Sequence, residues 1–148
     1  NEIAGALSGL TQVCKFHQDD GHIFCACHQV EGEIEHCLSL IGKMYKMFGC
    51  VSYEFALSTH PENYLGEIAE WDEAEAALKD ALNNSGWCWV INKGDGAFYG
   101  PKIDVHVQDV LGRKHQTATI QLDLQLPQWF QLKYCCGSLG WGVDLAGT

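Results

Sequence analysis

Between residues 29 and 48 apolar side chains return at steps of three or four: Ile34, Leu38, Ile41, Met44, Tyr45 and Phe48. That spacing gathers them on one face of an amphipathic helix, and Gly49 supplies a stop. Residues 70–84 repeat the pattern with Trp71, Ala74, Leu78, Ala81 and Leu82, and Asn84-Ser85-Gly86 closes the second helix. Elsewhere the period is two. In 51–58, Val51, Tyr53, Phe55 and Leu57 share a strand face, and 87–91 is a further short strand. Residues 102–109 alternate through Ile103, Val105 and Val107, residues 111–114 turn, and 115–126 return as a strand. The last two strands form an antiparallel hairpin by local logic. Helices beside an antiparallel sheet predict an α+β fold.

The rest of the chain is less periodic. Residues 1–9, with Gly5 and Gly9, read as a loop, and the mixed stretch 13–25 is a candidate strand leading into a site. Residues 135–148, glycine-rich and without a clear period, are expected to be a disordered tail after a domain spanning 1–134.

Composition narrows the function classes. The 148 residues are 47% hydrophobic and 11% aromatic, enough for one domain with a core. Nineteen acidic against nine basic residues give a formal charge of -10. That disfavours autonomous nucleic-acid binding, and DNA binding with it. No run approaches the ~18 apolar residues of a membrane span, and no secretory leader is read. The chain starts on Asn1, so a piece of a longer protein is expected. Of eight cysteines, Cys14, Cys25, Cys27, Cys37, Cys50 and Cys88 lie in or beside apolar segments, where reduced, buried thiols are expected, as in a reducing compartment.

Several local patterns tempt a chemical assignment. Gly94-Asp95-Gly96-Ala97-Phe98-Tyr99-Gly100 has three glycines, but the third falls one residue late for a dinucleotide fingerprint and a strand follows. It is a glycine turn entering a strand, or one that lets backbone approach a ligand closely. His17, His22, Cys25, Cys27 and His28 are zinc-ligand types at short spacing, and two core thiols would also share one strand face. Asp19-Asp20 concentrates negative charge that could hold a cation or an ammonium group, while a solvated turn is the commoner use of such a pair. The acids around Glu31 and Glu70 are helix-start and surface charges.

Four longer stretches carry a specific resemblance. Asn1-Glu2, Gly5-Ala6-Leu7-Ser8-Gly9-Leu10 and then 18–25 (Gln-Asp-Asp-Gly-His-Ile-Phe-Cys) resemble motif 2 and the following strand of threonyl-tRNA synthetases. Residues 57–63 (Leu-Ser-Thr-His-Pro-Glu-Asn), 94–104 (Gly-Asp-Gly-Ala-Phe-Tyr-Gly-Pro-Lys-Ile-Asp) and 116–127, with Thr-Ile-Gln-Leu-Asp and Gln-Leu-Pro, follow in the family's order. The resemblance covers 1–134 and implies part of a class II synthetase core, an antiparallel sheet flanked by helices. The family activates threonine with ATP and Mg²⁺, passes it to tRNA(Thr), and reads the threonine hydroxyl through a bound Zn²⁺. By matching positions, His22 is implied as a zinc ligand, Asp20 as the carboxylate on the threonine hydroxyl, and Gln18, Tyr99 and Gln121 as other threonine-pocket residues. Glu2 is implied near adenine, and Lys102 and Gln116 as polar groups facing the adenylate and the tRNA terminus.

The departures from the family pattern bear on activity. Gln12 stands where a second ATP-binding arginine is expected, Cys14 where another arginine is usual, and His60 replaces an arginine. The first motif 2 arginine and a zinc cysteine would lie before Asn1. The third zinc ligand and the motif 3 arginine would lie beyond the matching region. Glutamine keeps a donor but loses the charge and the planar fork that steady a developing phosphate charge. The expectation is a fragment of a threonine–tRNA ligase core that is inactive alone, in the cytoplasm or the mitochondrial matrix, from a family whose enzymes are homodimers. The alternatives are a catalytically silent binding module and a small zinc protein.

Overall fold

The computed structural model describes residues 13–49, 52–135 and 141–144, with Gly5, Leu7 and Gly9. Glu2, Gln12, Cys50, Val51 and Cys136 lie outside the described residues. A short 3-10 turn, Cys27–Gln29, leads into helix α1, Val30–Met47. Glu31 and Glu33 in its first turn and Lys46 in its last complement the helix dipole. Strand β1, Tyr53–Ser58, precedes helix α2, Ile68–Ser85, which Gly86 ends in a left-handed conformation at φ 72°. Then come β2, Trp89–Asn92; β3, Lys102–Gln108; β4, Lys114–Gln121; a single helical turn α3, Leu126–Trp129; and the strands β5, Lys133–Cys135, and β6, Trp141–Asp144.

Four strands form one sheet in the order β2-β1-β3-β4. Both α1 and α2 cover one of its faces. Ile34 and Leu38 of α1 and Leu78, Ala81 and Leu82 of α2 meet Phe55 and Leu57 of β1 and Ile103 and Val105 of β3 in a single buried cluster. Ala118 and Ile120 of β4 pack against its margin. The side chains between these positions on the strands point the other way, to the face the helices leave uncovered. The whole α2 stripe expected from the sequence is buried, and Trp71, its first member, donates its indole N–H to the Leu65 carbonyl at 2.7 Å.

The structure departs from the sequence expectation in five places. The sheet is mixed rather than antiparallel: β2 runs parallel to β1, because α2 returns the chain to the same end before β2 begins. β4 stops at Gln121 rather than 126, because the Asp123 carboxylate accepts the backbone N–H groups of Gln125 and Leu126 (both 2.9 Å) and turns the chain into α3, where Pro127 suits the first turn. Residues 13–25 form no strand: they are irregular and largely exposed, and among the described residues no neighbouring strand pairs with them. Of the tail 135–148, expected without regular structure, Trp141–Asp144 pairs antiparallel with Lys133–Cys135. Among the described residues five thiols are free but not buried: Cys14, Cys27 and Cys88 are exposed, Cys25 and Cys37 half-covered. Burial and the adjacent Glu33 carboxylate push both half-covered thiols up, away from the reactive thiolate.

The β3–β4 turn is held by one carboxylate. Asp109 accepts the backbone N–H of Leu111 and of Arg113 (both 2.9 Å), the Arg113 Nε–H at 2.7 Å, and contacts His115 Nε2 at 3.1 Å. The His115 contact first, then the Arg113 and Leu111 donors, hold this carboxyl below the ordinary value of 3.8. A depressed native value contributes stability that is complete above the unfolded value and is lost as pH falls through the native one. Asp109→Asn is therefore expected to lower the urea midpoint by an amount constant above about pH 5 and shrinking below about pH 4. A difference that grows on acidification would contradict this reading.

Candidate active site

The uncovered face of the sheet is polar, and it centres on an acid. Asp104, in the middle of β3, is 2% exposed. Its Oδ2 accepts the Ser58 hydroxyl at 2.9 Å and the Lys102 ammonium at 3.0 Å. Its Oδ1 accepts Gln116 Nε2–H at 2.7 Å and the Thr119 hydroxyl at 3.3 Å. Register explains the grouping: Ala56, beside Ser58's strand position, faces Asp104 across β1/β3, and Thr119 faces it across β3/β4.

Gln116 joins this group only because β4 carries a bulge. Val105 pairs with Ala118 but His106 pairs with Gln116, so Thr117 is the extra residue. Strict alternation from Thr119 would send residue 117 to the polar face and residue 116 to the helices. The bulge reverses this. Thr117 bonds the Tyr45 hydroxyl of α1 and donates to the Val105 carbonyl, while Gln116 comes round to Asp104. Both Nε2 hydrogens of Gln116 are then used, on Asp104 and on Thr119 (2.8 Å), which leaves its Oε1 as an open acceptor.

Lys102 is fixed from two sides, by Asp104 and at 3.6 Å by Asp95, which Asn92 steadies at 2.9 Å. An ammonium has three donors, so these two acids leave one open. Gln121 pairs directly with Lys102 across the ladder and its Oε1 accepts the Tyr99 hydroxyl. The Gly94–Gly100 run is a turn whose close approach is to protein backbone: a Cβ at Gly96 would sit 2.6 Å from the Thr59 carbonyl oxygen. Lys102, Gln116, Tyr99 and Gln121 thus share one face. Gln18, Asp20 and His22 are exposed in the irregular segment 13–25, and among the described residues no hydrogen bond or ion pair ties them to that face. Among the described residues no three His, Cys, Asp or Glu side chains converge as a metal site, the His17–His28 cluster included. His22 alone does not make a zinc site.

A sequence-family comparison shows which family the chain falls in. The family described as tRNA synthetase class II core domain (G, H, P, S and T) matches residues 1–137. The chain belongs to that class II synthetase family. Within it, the similarity is to the threonyl members. The chain is 55% identical over 134 residues to the cytoplasmic threonine–tRNA ligase 1 of Homo sapiens, covering 90% of this chain and 18% of that protein. It is 54% identical over 134 residues to the probable mitochondrial threonine–tRNA ligase of Schizosaccharomyces pombe, covering 90% of this chain and 28% of that one. A solved structure, the RNA binding domain of threonyl-tRNA synthetase from Cryptosporidium parvum Iowa II, superposes with a TM-score of 0.83 at 50% identity, over 90% of this chain and 33% of that chain. The chain therefore spans less than a third of the length of these two curated relatives and a third of that solved chain.

The resemblance implies Lys102, Gln116, Tyr99 and Gln121 but not Asp104, the acid that organises two of them. A signal was present: an aspartate between Ile103 and Val105 in a strand is disfavoured unless something holds it.

Proposed function

We propose that the chain is part of the catalytic core of a threonine–tRNA ligase and is inactive by itself. In the intact protein this core activates threonine with ATP and Mg²⁺ and transfers it to tRNA(Thr). The observation that supports this is the polar sheet face, with Lys102 and Gln116 locked on Asp104 beside the Tyr99–Gln121 pair, in a chain so similar to threonine–tRNA ligases. There Lys102 would offer its free N–H to an adenylate oxygen. Gln116 Oε1 would accept from a ribose hydroxyl or the amino acid's ammonium group. Tyr99 and Gln121 would line the threonine pocket with Gln18 and Asp20. Zn²⁺ would rest on His22 plus ligands this segment does not bring to it, and adenine beside Glu2. The intact protein would be a homodimer working in the cytoplasm or the mitochondrial matrix. Among the described residues no helix is long and apolar enough to cross a membrane.

Inactivity follows from the charge balance at the phosphate. Gln12 and Cys14 stand where the resemblance expects arginines, and the loss of one such cation costs about two to four orders of magnitude in rate. The test is ATP–pyrophosphate exchange with threonine, Zn²⁺ and Mg²⁺ on the purified chain. No threonine-dependent exchange is expected. Robust exchange that disappears in Asp20→Ala would overturn the inactivity and establish the threonine site together.

A further inference from the structure

We propose that His60 is a positioning residue: together with Glu75 it fixes, through Thr59, the turn that brings Asp95 to Lys102. This deepens the reading of Lys102 as a ligand-facing cation and rests on it for its catalytic consequence. The geometry itself involves no substrate.

The clamp begins at the end of β1. The His60 backbone N–H donates to Glu75 Oε1 at 2.8 Å, and the ring Nδ1 lies 3.0 Å from the same oxygen. A carboxylate only accepts, so Nδ1 carries the proton in this contact. Tyr64 and Trp71 hold the ring edge-to-face at centroid distances of 5.5 and 6.2 Å. Trp71 is wholly buried. One turn of α2 thus grips residue 60 by its main chain and its side chain at once.

The adjoining residue carries the next segment. Thr59 donates its N–H to Asn92 O at 3.2 Å, accepts Gly96 N–H on its carbonyl at 2.8 Å, and accepts Gly94 N–H on its hydroxyl at 3.2 Å. The turn sits on Thr59 with no room to spare at Gly96, where any Cβ would strike the Thr59 carbonyl. Asp95 lies between those two glycines and reaches Lys102 Nζ at 3.6 Å. Anything that lets Thr59 shift therefore moves Asp95 relative to Lys102.

His60 can do this without being a pillar of the fold. Its side chain is 39% exposed, and α2 is held to the sheet independently by Leu78, Ala81 and Leu82. Loss of the ring removes a local clamp and leaves the core intact.

Amide hydrogen exchange and side-chain NMR on the whole chain test this. In His60→Ala, exchange at the Gly94 and Gly96 amides is expected to rise at least about tenfold more than at the Ile103 and Val105 amides, since a local opening is distinguishable from global unfolding. The Lys102 ammonium resonance is expected to move. His60→Asn, whose amide N–H takes the place of the Nδ1 donor, is expected to restore both. Glu75→Ala leaves the imidazole in place and is expected to reproduce His60→Ala, and it serves should His60→Ala fail to fold. Equal acceleration at all four amides with an unmoved Lys102 resonance would overturn the proposal, as would an asparagine variant no better than alanine. None of these readouts uses threonine or ATP, so a surprise in the exchange assay leaves them unaffected.

Discussion

Gly100→Ala is expected to remove a large part of the chain's stability at 25 °C. A Cβ built on Gly100 falls 1.6 Å from the Leu122 carbonyl oxygen and 2.8 Å from its carbon. Both are backbone atoms, so no side chain can swing aside. The backbone cannot retreat cheaply either, because Leu122 N–H donates to Pro101 O at 3.0 Å and Leu124 N–H to Tyr99 O at 3.2 Å. Those two bonds clamp residues 99–101 against the end of β4. Relieving the overlap means breaking at least one of them and displacing Tyr99 from Gln121. A cost of about 4 kcal/mol or more is expected, against a total stability of order 5–15 kcal/mol for a domain. Gly32 is the control. It sits inside α1 with nothing within 4 Å of its would-be Cβ, so Gly32→Ala is expected to gain about 0.5–1 kcal/mol through helix propensity. Urea unfolding followed by circular dichroism separates the two. A Gly100→Ala midpoint close to that of the parent chain would mean that the approach of Gly100 to Leu122 is not what closes this end of the sheet.

Much of this architecture was legible from periodicity, and the reasons for the exceptions are physical. The stripes of α1 and α2 and the β3–β4 hairpin follow from local spacing, because a buried face leaves a period in the sequence. The parallel placement of β2 does not, since Trp89–Asn92 has the same local pattern in either direction. Topology is decided by where α2 delivers the chain. The bulge at Thr117 has no composition of its own: Gln116, Thr117 and Thr119 are all polar, so nothing in the alternation says which of them turns to the helices. The cysteines mislead because apolar neighbours in sequence are not neighbours in space, and Cys14 and Cys27 flank a largely exposed irregular segment. The candidate site divides along the same line. Its residues on the sheet are brought together by register, whereas Gln18, Asp20 and His22 lie on a segment that no described strand pairs with. Their roles therefore rest on resemblance alone.

Asp104→Ala is expected to be the most damaging single change on the polar face, costing about 3–5 kcal/mol, because it removes one member of a buried charged group and strands the others. Lys102 keeps only the more distant Asp95. The wholly buried Ser58 hydroxyl loses its acceptor, and Gln116 loses one of its two. Asp104→Asn keeps an oxygen for Gln116 and Thr119 but turns an N–H₂ toward Lys102 and Ser58, so a smaller loss of about 1–3 kcal/mol is expected. The decisive comparison is a double-mutant cycle with Lys102→Met. If the main damage in Asp104→Ala is the stranded ammonium, removing that ammonium as well should return part of the loss. The double variant should then be at least about 1 kcal/mol more stable than the sum of the single losses, as for side chains in direct contact. Strict additivity would mean that Asp104 serves mainly Ser58 and the β4 side chains and that Lys102 is held by Asp95. The ligand-facing cation would then depend on the Gly94–Gly96 turn alone, which places still more weight on the His60–Glu75 clamp.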